Sequence, residues 1–154
     1  MDTSPADYAI FCFGNSARGD DALGEHMHIF LQQHFNHHPA LANRVRLIGD
    51  FQLEPEHIFD LKDARCGIFI DAHQNIDTGV QWYAVKAGTT LSISSHHLPV
   101  ESLLYLYEET FGEDAPPCFM LTMGGERFEL EENLSARAQQ HLAQAKTLLL
   151  EKLV

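Results

Sequence analysis

Apolar residues along this chain fall into short continuous runs that alternate with stretches in which they recur every three or four positions. The first run, "DYAIFCFGN", is closed by a Gly-Asn turn and has the form of a buried strand. Leu23, Met27, Phe30 and Leu31 then recur at helical spacing, which predicts a first helix to about Phe35, and "NHHPAL" breaks the pattern. "RVRLIGDF" is a second strand candidate, and "EPEHIFDLKDA" is a short helix or turn opened by Pro55. "CGIFIDA" is the clearest buried strand and ends in Asp71.

"VQWYAVKA" and "TTLSISSH" follow, both with strand composition. In "LPVESLLYLYEETFG", Pro99 takes the first helical position, Val100, Leu103, Leu104 and Tyr107 form one apolar face, and Gly112 suits the end. "PPCFMLTMGG" reads as a last strand with a glycine turn. Leu134, Ala138, Leu142, Ala145, Leu149 and Leu153 line one side of a long C-terminal helix.

Strands alternating with helices predict an α/β fold, a three-layer sandwich with a central twisted, mostly parallel sheet flanked by helices. No helix separates the two strand candidates between Val80 and Ser94, so part of the sheet is expected to be antiparallel. With no linker, repeat or low-complexity segment, residues 1–154 form one domain, long enough for a real core.

Composition narrows the function. Twenty-two acids stand against 10 Lys and Arg, a net charge of −12. Such a surface repels nucleic acid and suits a cation, a basic partner segment or simply solubility. Cys12, Cys66 and Cys118 are an odd number without CxxC spacing and read as packed, reduced core thiols. "MDTSPADYAIFCFG" has no basic n-region and its apolar run is short for a signal peptide. No apolar segment approaches membrane-spanning length, so the expectation is a cytoplasmic protein without membrane insertion.

In an open α/β sheet, ligands bind beyond the carboxyl ends of the strands, near a switch in strand order. That rule selects Asn15, Asp20 and Asp21 after the first strand, Asp71 and His73 after "CGIFIDAH", and His96 and His97 after "LSISS". Two carboxylates and an imidazole from three strand ends suit a borderline divalent ion such as zinc or nickel. Each residue also has a plain structural reading. An Asp before a helix caps free N–H groups, a strand-end Asp bonds loop amides, and paired histidines in a loop are polar surface. His37 and His38 lie away from any strand's carboxyl end and are taken as surface.

Familiar hydrolase and nucleotide signatures are missing. There is no HExxH. "GNSARG" is neither GxSxG, which leaves Ser16 little claim as a nucleophile, nor GxGxxG, and it lacks the GK[ST] ending of a phosphate loop. No serine or cysteine has a paired base visible in the pattern.

The chain resembles the nickel–iron hydrogenase maturation endopeptidases. "FGNSARGDDALG" looks like their first signature, in which a strand runs into Gly-Asn and two acids follow before a small residue and glycine. "IFIDAHQN" resembles their buried strand ending Asp-Ala, and "SSHHLPVESLL" their Ser/Thr-His dipeptide leading into a helix. Order and spacing match over nearly the whole chain, with "EPE" at Glu54 to Glu56 and "LSARAQQHL" adding to the likeness. "TMGGERFEL" departs from it, since relatives commonly carry a proline-bearing loop there.

The resemblance implies an endopeptidase that clips the C-terminal extension from a hydrogenase large-subunit precursor after nickel insertion, working as a monomer. It places the metal-contacting roles on Asp21, Asp71 and His96, with Asp21 and Asp71 also catalytic. Gly14, Asn15, Asp20 and His97 support them: Gly14 and Asn15 supply the turn, Asp20 caps and steadies it, and His97 sits where other members vary. The metal is the substrate's own nickel, sensed rather than stored, and another divalent ion could replace it in a crystal. The alternative is a non-catalytic nickel-sensing module on the same scaffold.

Overall fold

The computed structural model describes residues 5–15, 18–91, 98–128 and 133–153. The order is β1 (Ala6–Phe13), α1 (Leu23–Asn36), α2 (Pro39–Ala42), β2 (Val45–Asp50), α3 (His57–Leu61), β3 (Ala64–His73), β4 (Val80–Val85), α4 (Val100–Phe111), β5 (Cys118–Gly124) and α5 (Ala136–Lys152). Short 3-10 turns at Gly19–Ala22 and Ile76–Thr78 join them.

The five strands form one sheet in the order β2-β1-β3-β5-β4. β1 pairs in parallel with both β2 and β3, and β3 with β5, while β4 runs antiparallel to β5. The antiparallel element predicted from the sequence is present, but its partner is β5 rather than a hairpin neighbour. "TTLSISSH" forms no strand at Thr89–Leu91, and the rest of it lies outside the described residues.

Alternation along the buried strands splits the apolar residues between two faces. Ile10, Cys12, Ile68, Ile70 and Leu121 face α1 and α5, where Leu23, Met27, Leu31, Ala138, Leu142, Ala145 and Leu149 complete one core. Ala9, Phe11, Phe13 and Phe69 face α3 and α4, meeting Ile58, Leu61, Leu103, Leu104 and Tyr107. Phe11 and Phe69, partners in the β1–β3 register, stack with ring centroids 4.6 Å apart. Each fully buried Leu, Ile or Phe contributes about 1.5–3 kcal/mol, so the two helix layers are held mainly by this burial. The result is the predicted three-layer sandwich.

Two local expectations shift. Pro99 is the N-cap of α4, extended at ψ 149°, and not its first helical residue; Gly112 closes the helix in the left-handed conformation as expected. His37 and His38 are exposed, and a single helical turn follows them. Cys12, Cys66 and Cys118 are all free thiols. Among the described residues, no helix is long and apolar enough to cross a membrane.

Candidate active site

From β1 the chain turns one way to β2 at the sheet edge, while β3 lies on the other side of β1. This reversal opens a crevice at the carboxyl ends of β1 and β3, the position where such sheets bind ligands. Asp21 follows β1 and Asp71 lies two residues before the end of β3, so both acids reach the crevice. They line one cleft of about 260 Å³ with Phe13, Phe51, Tyr83 and Leu98.

Local sequence explains how Asp21 gets there. A side chain at position 14 would collide with the Asp21 carbonyl, so only glycine lets the turn close this tightly. The Asn15 N–H donates to the same carbonyl at 3.1 Å. Gly19, at φ 53°, starts the 3-10 turn in a conformation that side chains disfavour. The turning role predicted for Gly14 and Asn15 is therefore visible in the backbone.

Asp20 behaves differently from expectation. Its carboxylate makes no helix cap. It is fully buried and accepts from the backbone N–H groups of Glu126 (2.8 Å), Arg127 (3.1 Å) and Ser135 (2.7 Å), and from the Ser135 hydroxyl (2.7 Å). Its own N–H donates to the Arg127 carbonyl. Ser135 also caps α5 by accepting the Ala138 N–H. Asp20 thus pins the segment between β5 and α5 beside the cleft. Burial alone would raise this carboxyl, but the four donated hydrogen bonds outweigh it and hold it below the ordinary carboxylate range.

The electrostatics of the cleft run the other way. Burial pushes the Asp71 carboxyl up to about 7; the Ala72 N–H, 2.8 Å from Oδ1, opposes this and the Asp21 charge adds to it. Asp21 is also raised, chiefly by burial, against the pull of Arg18 and an amide bond from Asn15. Two carboxyls that disfavour each other's ionisation in a half-buried cleft are the arrangement in which one keeps a proton while the other acts as base.

His96 and His97 lie outside the described residues, although Leu98 and Pro99, which follow them, line the cleft. His73 is exposed, and its ring accepts the Asn75 N–H at 3.0 Å. Among the described residues no three His, Cys, Asp or Glu side chains are grouped to hold a metal. Asp21 and Asp71 are two oxygen donors at one mouth, a fit for a hard or borderline cation once a third ligand is supplied.

Sequence reasoning missed Phe51. It is 71% exposed and stands between the acid cleft and a second cavity of about 330 Å³ lined by Cys12, Glu25, His28 and Asp50. Its loop is braced from below. Asp50 accepts the Phe51 N–H at 2.8 Å and faces Nε2 of buried His57 at 3.3 Å, while His57 Nδ1 accepts the Glu54 N–H at 2.7 Å. A lone Phe in a polar stretch carries no periodic signal, so only the fold reveals its place.

An α/β sandwich with an acid pair at the switch point of its parallel sheet is the class these features define. This is the fold of the hydrogenase maturation endopeptidases. The hydrogenase maturating endopeptidase HybD from E. coli superposes with a TM-score of 0.70 at 17% identity, covering 95% of this chain and 91% of that one. The NiFe hydrogenase maturation protease HybD from Thermococcus kodakarensis gives 0.71 at 13%, covering 96% and 99%. A hydrogenase 2 maturation peptidase from a Thaumarchaeota archaeon gives 0.65 at 20%, covering 95% and 97%. No sequence-family model and no curated protein sequence matches the chain.

Proposed function

We propose that this chain is an endopeptidase that removes the C-terminal extension of a nickel–iron hydrogenase large-subunit precursor. The observation that carries the proposal is the convergence of Asp21 and Asp71 in one cleft at the sheet's switch point, with Asp71 raised to about 7. The likeness of the fold to maturation proteases and the three motifs in the sequence support the same reading.

Within it, Asp21 and Asp71 share one proton near neutral pH. The ionised partner draws a proton from an attacking water, and the protonated one donates to the departing amide. The substrate's nickel, already held by the precursor, is sensed by Asp21, Asp71 and His96. The cleft and the second cavity meet at Phe51, giving an extended polypeptide room on both sides of the cut. The partner is the precursor protein, and the protease works as a cytoplasmic monomer.

Incubating the purified protein with a nickel-loaded precursor tests this directly. Loss of the C-terminal tail from the nickel-loaded form, and not from the nickel-free form, is the expected result. Binding without a cut would favour a nickel-sensing module, and undiminished cleavage by D21N would remove Asp21 from the chemistry.

A further inference from the structure

Thr122 is 5% exposed, and its hydroxyl has no hydrogen-bond partner among the described residues. A buried hydroxyl without a partner is uncommon enough to need a cause. The residue sits on β5 directly across from Asp71 in the parallel β3–β5 register. Side chains two apart on a strand share a face, and Phe69 with Asp71 on β3, and Met120 on β5, line the acid cleft. Thr122, two residues past Met120, therefore lies on that same face beside Asp71.

The choice of residue is itself informative. Valine has the same shape, suits a buried strand at least as well, and leaves nothing unpaired. Among the described residues, the threonine hydroxyl finds no hydrogen-bond return. Such costs collect where a chain carries chemistry. Among the described residues, Asp71 has a single backbone donor, Ala72, on one of its two oxygens. Neighbouring strands stand about 4.8 Å apart, so side chains of register partners on one face are near neighbours.

We propose that Thr122 is a positioning residue for Asp71: its hydroxyl donates to the Asp71 carboxylate and fixes its direction towards the substrate. This rests on the peptidase reading above. It adds to the cleft a neutral donor that neither offsets the charge of the acids nor competes for a cation.

The test compares T122V with wild type on a nickel-loaded large-subunit precursor, with thermal melts in parallel. Losing one hydrogen bond to a charged group predicts a fall in kcat of about 10- to 100-fold, with KM changed by less than about twofold. The melting midpoint of T122V is expected to stay near that of wild type, because valine keeps the volume of threonine on the strand. T122S keeps the hydroxyl and is expected to restore kcat, whereas T122A, which also loses packing, is not. Wild-type kcat in T122V, or equal defects in T122S and T122A, would overturn the assignment while leaving the peptidase reading intact. A wild-type protein that does not cleave the precursor would overturn both.

Discussion

Asp20 is fully buried and Asp71 partly buried, and their pKa values move in opposite directions. Burial pushes Asp20 up, yet it is held low because four donors converge on it. Asp71 has one donor among the described residues and a negative neighbour, and rises to about 7. Burial sets the penalty for charge, but the number of donors decides whether a group keeps its charge. The satisfied carboxylate serves structure, and the raised one is the group to which the proposed peptidase reading gives the chemistry.

The comparison breaks most visibly in activity. D71N and D21N each remove half of the acid pair and are expected to lower precursor cleavage by about 10²–10⁴-fold in a single-turnover assay. Either variant cleaving at the wild-type rate would sever the link between a raised pKa and chemistry.

Next in size is the structural carboxylate. D20A leaves the N–H groups of Glu126, Arg127 and Ser135 without their acceptor, and unfolding in urea is expected to show a loss on the order of 3 kcal/mol. Because the folded-state pKa of Asp20 is depressed, the stability it supplies is present above the ordinary carboxylate range. It drains away as the pH falls through that depressed value, so wild type and D20A should converge in acid.

Asp71 gives the opposite slope. Its folded state binds a proton that the unfolded chain has released between about pH 4 and 7, so its contribution falls as pH rises through that window. D71N is therefore expected to be more stable than wild type at pH 8, on the order of 2–4 kcal/mol, and to lose that advantage by pH 4. A pH-independent difference would mean that Asp71 is not penalised for its charge. The smallest effect belongs to F51A, which removes the wall between the two cavities: KM for the precursor should rise about 3- to 10-fold, with little change in kcat or melting midpoint.

Much of this arrangement was legible in the sequence. The strands β1, β3 and β5 are buried on both faces, so they appear as unbroken apolar runs, and α1, α4 and α5 show their amphipathic period. Asp21 and Asp71 stand where strand ends place them, and the Gly-Asn turn explains itself. What the chain did not disclose is long-range. The partners of Asp20 lie more than a hundred positions away in a segment without periodicity. The edge strand β4 pairs with β5, across the whole of α4, and nothing in "VQWYAVKA" specifies which strand that will be. Phe51 and Thr122 matter through neighbours on other strands, which no local pattern encodes.

The contact between Asp20 and Ser135 spans 115 positions and also sets the start of α5. During synthesis the strands β1, β2 and β3 can pair while this corner still lacks its donors. The floor beside Asp21 closes only when the last helix begins to leave the ribosome. On the proposed peptidase reading, a site built across such a seam would be completed only with the whole fold.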